Sequence, residues 1–229
     1  MELDIPQYLR DAMIVLFLAS LPSVAWFFRM RRIMLNRQIL IIRSLESAFK
    51  PRDKRYWVLG YLVGFAARYW IYQGPLARVN ITYTVPPYHA FFYIPVIILG
   101  RKKEKLEIEL ESRHRLRDVG VAHIYSTVMR SVRLPVERDI RDRLRDAIIS
   151  RVKVAGRKYK AAYTSGEALN RAIELVQDLS VIGEVHRVTI DSRSRRIAAS
   201  ITLKSVDGIE EYVKRLVKEL EELSTGERI

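Results

Sequence analysis

The first feature of the hydrophobic pattern is a long apolar run near the start of the chain. Residues 12–28 carry no charged side chain and end in Trp26, Phe27 and Phe28. As a helix this run would be about 25 Å long, at the short end of what spans a bilayer. Membrane helices tolerate a proline such as Pro22, and aromatic residues favour the membrane interface. The pattern predicts a transmembrane helix over residues 12–28.

Charged residues flank this run unequally and predict its direction. The preceding flank is mainly acidic: Glu2, Asp4, Arg10 and Asp11. The following flank is basic: Arg29, Arg31, Arg32, Arg37 and Arg43. Because basic loops stay in the cytoplasm, residues 1–11 are expected outside and the rest of the chain inside. A cleaved signal peptide would carry a basic start, so an uncleaved, single-pass anchor in the cell membrane is predicted.

Beyond the anchor, apolar residues recur at helical spacing. Met34, Ile41, Leu45 and Ala48 fall on one stripe, and a proline directly after Lys50 ends the pattern. Residues 29–50 are therefore predicted to form a juxtamembrane amphipathic helix. Such a helix lies either on the membrane surface or on the folded domain.

Two further apolar stretches allow more than one interpretation. Residues 56–72 have aromatics at both ends and Gly60 four positions before Gly64, which is typical of a second membrane helix. Arg68 opposes that interpretation, and the alternation around Gly60 fits a bent or bulged strand. Residues 88–99 are too short to span a bilayer and are predicted to be buried or interfacial. We expect one span, with three spans as the alternative.

Residues 51–150 are predicted to be the first part of a cytoplasmic α+β domain. Residues 78–85 alternate β-branched residues, and residues 105–111 place Leu106, Ile108 and Leu110 between charged residues, so both are expected strands. Residues 113–149 look mainly helical. Three acidic residues there are interpreted as part of a solvated, ion-paired helix face rather than a metal site: Asp139, Asp142 and Asp146.

Residues 151–229 predict a ββα-ββα arrangement. The expected elements are a hairpin over 152–163 turning at Gly156, a helix over 166–179, strands at 185–190 and 196–204, and a helix over 208–223. Capping boxes starting at Thr164 and Asp207 open the helices. The residues expected to face inward are Leu169, Ile173, Val176, Ile209, Val213, Leu216 and Leu220. Four antiparallel strands covered by two helices follow, and an internal duplication is one explanation of the repeated order.

Composition excludes several kinds of site. The chain has no cysteine, so disulfides and thiolate chemistry are excluded. Four histidines lack metal-ligand spacing, and no phosphate-binding, dinucleotide-binding or nucleophile-elbow motif occurs. No catalytic residue, cofactor or metal is therefore assigned, which favours a non-enzymatic protein. Abundant Arg, Lys and Glu with few amides are typical of a thermophilic source.

The net charge of +14 favours an anionic partner or an anionic membrane surface. Two basic clusters are the anion-binding candidates. They are Arg193, Arg195 and Arg196 in a hairpin turn, and Arg101, Lys102 and Lys103 before a strand. Arginine suits bidentate contacts to phosphate. Trp26, Arg29, Arg31 and Arg32 are the expected membrane-flanking residues.

Residues 45–69 (LESAFKPRDKRYWVLGYLVGFAARY), followed by residues 81–102, resemble a group of archaeal membrane-anchored proteins of unknown function. The resemblance covers the middle third of the chain and implies membrane localisation without any catalytic residue.

Three functions follow as hypotheses. The first is a membrane-tethered binding or scaffolding module with membrane lipids and an unknown protein as partners; a second copy of the chain is left open. The second is a membrane-surface enzyme or ligand sensor with a site in residues 56–99, using Arg68, Tyr83 and His89. The third is docking of ribosomes or RNA at the membrane.

Overall fold

The structure is a computed structural model and describes residues 6–72, 74–100, 102–127 and 147–224. It shows an α+β fold. The helices are α1 (Gln7–Phe49), α2 (Ile94–Leu99), α3 (Gly166–Ile182) and α4 (Gly208–Ser224). The strands are β1 (Asp53–Gly60), β2 (Gly64–Trp70), β3 (Leu76–Thr84), β4 (Lys105–Ser112), β5 (Val121–Ser126), β6 (Ile148–Val154), β7 (Arg157–Tyr163), β8 (Gly183–Asp191) and β9 (Arg196–Leu203).

The described strands form one antiparallel sheet in the order β1-β2-β3-β4-β9-β8-β5-β7-β6. The alternation in β4 has the predicted effect, because Leu106, Ile108 and Leu110 are buried while the glutamates between them face away from the helices. At the opposite edge, the β6–β7 hairpin turns at Ala155 and Gly156. Both residues have positive φ, at 47° and 78°, as a two-residue turn of this type requires.

Helix α1 runs without a break from the apolar run into the folded domain. Its most apolar window is entirely exposed, and α1 is the one described helix that is long and apolar enough to cross a membrane. In its second half, the predicted stripe of Met34, Ile41 and Leu45 is buried in the core together with Phe49. This half of α1 therefore packs on the domain. Lys50 adopts a left-handed conformation and ends the helix before Pro51.

Helices α3 and α4 and the second half of α1 cover one face of the sheet. The four inward residues predicted for α4 are all buried. In α3, Leu169 and Ile173 are only partly buried, and the helix faces the core mainly through its alanines and Leu175, Val176 and Leu179. Alanine makes this face hard to recognise from hydrophobicity alone.

The cap of α3 differs by one residue from the predicted capping box. Ser165, not Thr164, is the N-cap, and its Oγ accepts a hydrogen bond from the Ala168 backbone at 3.1 Å. The Thr164 hydroxyl instead accepts from the Val121 backbone at 2.9 Å. Thr164 therefore ties the start of α3 to β5.

Two stretches differ from their sequence interpretation. Residues 56–72 contain no helix but most of the β1–β2 hairpin, which turns at residues 61–63 and has a register irregularity between Val58 and Gly60, where the sequence predicted a bent or bulged strand. Gly64 is required there, because a Cβ atom would lie 1.9 Å from the carbonyl oxygen of Tyr83. Within residues 113–149, which were predicted to be mainly helical, Val121–Ser126 is a strand. The three aspartates predicted on that helix lie outside the described residues.

Strand β5 also changes the predicted packing of the last strands. It pairs with β7 on one side and β8 on the other, so the two C-terminal hairpins are not neighbours in the sheet. The chain order of strand, strand, helix is seen twice, but an internal duplication stays a prediction.

Contacts along α1 show how it lies against the strands. Phe27 stacks on Tyr61 with ring centroids 6.2 Å apart, while Lys54 Nζ donates to a Glu46 carboxylate oxygen at 2.7 Å. Strand β1 therefore runs antiparallel to α1. We call the strand ends near Phe27 the proximal end of the sheet, and those near Glu46 the distal end. The segment of residues 88–99 and the start of β4 lie at the proximal end, and the β8–β9 turn lies at the distal end.

Candidate functional site

The end of the apolar run is held to the domain by a cluster of aromatic contacts, which we call the helix exit. The indole Nε1 of Trp26 donates to the backbone oxygen of Tyr88 at 2.8 Å. Phe27 and Tyr61 stack, and the His89 ring meets both edge-on, at 6.0 and 5.9 Å. Burial lowers the pKa of His89, which favours its neutral form. The helix exit comprises Trp26, Phe27, Tyr61, Tyr88 and His89.

Beside the helix exit lies an apolar groove of about 440 Å³. Its walls are α1 and the segment before α2, and its lining residues are Ser23, Val24, Phe27, Phe28, His89, Ala90, Phe91 and Phe92. The predicted buried or interfacial segment of residues 88–99 therefore lies against the last turns of the apolar run. The next residues of α1 after the apolar run include Arg29, Arg31 and Arg32, which are all exposed.

Further along α1, beyond Arg32, a polar cluster links the helix to the sheet. Arg37 Nε lies 2.9 Å from a Glu104 carboxylate oxygen, and the Tyr83 hydroxyl donates to the same carboxylate at 2.7 Å. Burial, reinforced by Glu104, raises the pKa of Tyr83 far above its usual value, so this hydroxyl stays a donor. The cluster has the properties of a structural brace.

The predicted lysine cluster at the proximal end is already engaged within the domain. Lys102 Nζ donates to the hydroxyl of Tyr93 at 2.8 Å and lies over its ring. Lys103 Nζ lies 2.6 Å from a Glu184 carboxylate oxygen, and Arg157 contacts the other oxygen at the same distance. Arg101 lies outside the described residues. Lys103 and Arg157 therefore share one carboxylate.

The predicted arginine cluster in the β8–β9 turn is exposed, and hydrogen bonds hold its backbone. We call it the arginine turn: Arg193, Arg195 and Arg196. The turn is held by Asp191, whose carboxylate accepts from the Ser194 backbone at 2.9 Å. It is also held by buried Ser192, whose hydroxyl donates to the Gly120 oxygen at 2.9 Å. This backbone is therefore preorganised.

The guanidinium groups of the arginine turn differ in their surroundings. Arg196 lies 3.4 Å from Glu109, whereas neither Arg193 nor Arg195 pairs with a carboxylate of the described residues. The charges of these two arginines are therefore less compensated than that of Arg196. The arginine turn and the lysine cluster lie at opposite ends of β4 and β9, roughly 20 Å apart. The structure does not combine them into one anion site.

The residues proposed for an enzyme or sensor site also lie apart. Arg68 Nε donates to Asn80 at 3.0 Å on the sheet face that none of the described helices covers, where it also lies over Trp57. Tyr83 is buried on the opposite, helix-covered face. His89 belongs to the helix exit. Among the described residues, no group of three or more potential metal ligands occurs.

Sequence reasoning missed a partly buried polar network on the face without described helices. Arg187 pairs closely with Glu107, and burial raises the pKa of that carboxyl while the arginine opposes the rise. His123 Nδ1 lies 2.8 Å from the Thr189 hydroxyl, and burial together with the charge of Arg187 lowers the His123 pKa to about 4. The alternation in β4 indicated where the glutamates point, but only the register of β8 and β5 reveals their partners.

His186 is a second neutral histidine in the same sheet. Its Nε2 lies 2.8 Å from the Thr202 hydroxyl, which itself donates to the backbone oxygen of Glu104 at 2.5 Å. Burial and then the charge of Lys105 lower the pKa of His186 to about 4. His123 and His186 each lie within hydrogen-bond distance of a threonine hydroxyl. Both histidines therefore have a structural role in the sheet.

Comparison with known proteins identifies no family. The chain matches no protein-family model and no curated protein. A solved structure with a distant likeness is the mycobacterial trehalose monomycolate transport factor A, TtfA. The identity is 12%, the TM-score is 0.41, and the alignment covers 80% of this chain and 93% of TtfA. At this similarity the likeness carries no argument about function.

Proposed function

We propose that this protein is a membrane-tethered, cytoplasmic binding or scaffolding module that presents a basic surface to an anionic partner. The observation that carries the proposal is the continuity of α1. One uninterrupted helix has an apolar first half whose most apolar window has no buried residue, and a second half that buries one stripe of side chains in the domain core. Such a helix couples the position of a membrane to the position of a folded domain. The resemblance to archaeal membrane-anchored proteins belongs to the same proposal.

The charges around α1 support a single crossing with the N-terminus outside. Arg29, Arg31 and Arg32 are exposed directly after the apolar run, where the positive-inside bias expects cytoplasmic arginines. In water, so many exposed apolar side chains on one helix would be unfavourable. A bilayer around residues 12–28 removes that cost.

The arginine turn supports the binding part of the proposal. It lies at the distal end of the sheet, away from the anchor, so a partner in the cytoplasm can reach it. Its backbone is held by buried hydrogen bonds, and Arg193 and Arg195 are exposed. A preorganised arginine pair suits phosphate or carboxylate groups.

The absence of cysteine makes the membrane topology directly testable. Single cysteines are introduced at Tyr8, before the apolar run, and at Lys214, exposed on α4. We expect a membrane-impermeant maleimide to label Tyr8→Cys in intact cells and Lys214→Cys only after permeabilisation. The unmodified chain, which cannot react, is the control. Labelling of both positions in intact cells, or of Lys214→Cys alone, would contradict the proposed orientation.

The partner surface is tested with the full-length chain in nanodiscs of neutral phosphatidylcholine. Binding to anionic liposomes and to ribosomes is measured at low and at high salt. We expect Arg193→Glu with Arg195→Glu to weaken binding to an anionic probe by roughly tenfold or more, since two charge-assisted contacts become repulsive. Arg196 is left unchanged because its reversal would also place two carboxylates together.

The matched control changes the net charge by the same amount elsewhere. Lys158→Glu with Lys160→Glu alters two exposed lysines of β7 and is expected to weaken binding much less. Equal losses in both variants would mean that only the overall charge matters, and the arginine turn would not be the site. Binding to ribosomes alone, with a steep loss at high salt, would favour RNA docking instead.

A further inference from the structure

Exposed apolar side chains are concentrated around the helix exit, in a group that we call the apolar collar. Its members on the β1–β2 hairpin are Val58 and Tyr61, and its members on the segment of residues 91–99 are Phe92, Ile98 and Leu99. Val58 is 81% exposed and Leu99 is 85% exposed. Side chains of this kind are normal on a surface singly, but a group of them marks a contact site.

The position of the collar indicates what covers it. Both of its segments touch the last turns of the apolar run. Tyr61 stacks on Phe27, while Trp26 reaches the second segment through the Tyr88 backbone and an edge-on contact with Phe91 at 6.1 Å. The two segments of the collar therefore lie beside α1 at the level where the predicted span ends. A bilayer that encloses residues 12–28 would have its interface at this level.

The chemistry of the collar also suits a lipid interface. Aromatic residues with aliphatic neighbours are characteristic of the boundary between headgroups and acyl chains. Basic residues lie close by, namely Arg29, Arg31 and Arg32 on α1 and Lys102 beside Tyr93. Those residues can meet anionic headgroups while the apolar side chains point into the bilayer.

The short length of the predicted span is a further reason to expect the collar at the membrane. Residues 12–28 extend about 25 Å, less than the roughly 30 Å of a typical hydrocarbon core. A short span is accommodated by thinning the bilayer or by drawing flanking residues into it. Here the flanking apolar surface is the collar.

We infer that the apolar collar inserts into the cytoplasmic interface of the same membrane and holds the domain against the bilayer at a fixed orientation. This inference rests on the proposed function, because it needs α1 in the membrane. The domain is then attached by one helix and by a second, peripheral contact, so its distal end points away from the bilayer.

The test places single cysteines on the full-length chain in phosphatidylcholine–phosphatidylglycerol liposomes. Each cysteine carries an environment-sensitive fluorophore, and quenching by lipids spin-labelled in the acyl chain is measured. The probes are Leu16→Cys in the apolar run, Val58→Cys and Leu99→Cys in the collar, and Tyr72→Cys as control. Tyr72 lies beyond the distal end of β2 and is 58% exposed, so it is an exposed aromatic position away from the collar.

We expect quenching at Leu16, Val58 and Leu99 and at least threefold less at Tyr72. Quenching at Leu16 alone would overturn the collar and leave the anchor standing. Absence of quenching at Leu16 would overturn both the anchor and the collar. Collar probes in an apolar environment that spin-labelled lipid does not quench would mean that protein, such as a second copy, covers the surface, and the inference would be wrong. The probed collar side chains are almost fully exposed, so their replacement should not disturb folding.

Discussion

Arg187→Ala is expected to lower the free energy of unfolding by about 3 to 5 kcal/mol, because it leaves a buried carboxylate without its partner. The Arg187 side chain is 11% exposed and that of Glu107 is 20% exposed. Burial, followed by the charge of Glu109, raises the pKa of Glu107, and Arg187 is the main group that opposes this rise. Removal of the arginine leaves the cost of burial uncompensated. Denaturant unfolding of the full-length chain in detergent, followed by circular dichroism, measures the change.

The neighbouring ion pair of β4 supplies the control. Arg196 pairs with Glu109 at 3.4 Å, but its side chain is 44% exposed, so Arg196→Ala should cost about 1 kcal/mol or less. Glu107→Gln combined with Arg187→Met should recover most of the stability lost in Arg187→Ala, because neither buried charge remains. If Arg187→Ala cost no more than Arg196→Ala, the pair would not be buried as the structure shows it.

Acidification is expected to destabilise the domain through two histidines, the buried His186 and the partly buried His123. The pKa values of His123 and His186 fall to about 4 in the folded protein, from an ordinary value of 6.5. The unfolded chain therefore binds protons at these positions before the folded chain does. Stability is fully present above pH 6.5 and is lost as the pH falls towards 4, by roughly 3 kcal/mol for each histidine.

The measurement is the free energy of unfolding as a function of pH, compared within each variant. His123→Asn and His186→Asn should each make the curve between pH 6.5 and pH 4 flatter, and the double variant should flatten it further. Carboxylates contribute to the same acid limb, so the difference between variants is the relevant quantity. His114→Asn is the control, because His114 is exposed. A curve of unchanged slope in the double variant would show that neither histidine is held neutral by burial.

Much of the fold followed from local patterns. The apolar stripe of α1, the alternation of β4 and the inward face of α4 are where the pattern placed them. Each of these depends only on the period of a helix or strand and on which side chains avoid water. The hairpin turn at Gly156 was equally readable, since few residues accept its backbone angles. The face of α3 was less readable because it is built largely from alanine.

The candidate anion-binding surfaces were only partly predictable. The exposed arginines of the β8–β9 turn were identified from their spacing, and the structure adds that their backbone is held by Asp191 and Ser192. The lysine cluster was identified in the same way, but Glu184 and Tyr93 engage it. Composition shows which charges are present. It does not show which of them already have partners.

The sequence by itself determined the apolar run, the charge around it, most strands and helices, and the absence of cysteine chemistry. Only the tertiary structure decided that β5 separates the two C-terminal hairpins, that β4 pairs with β9, and that the tip of one hairpin meets residues 88–99 around α1. The physical reason is the distance along the chain over which each interaction acts. Periodicity and capping act over a few residues, whereas strand pairing depends on which distant segments bury their surfaces together most favourably.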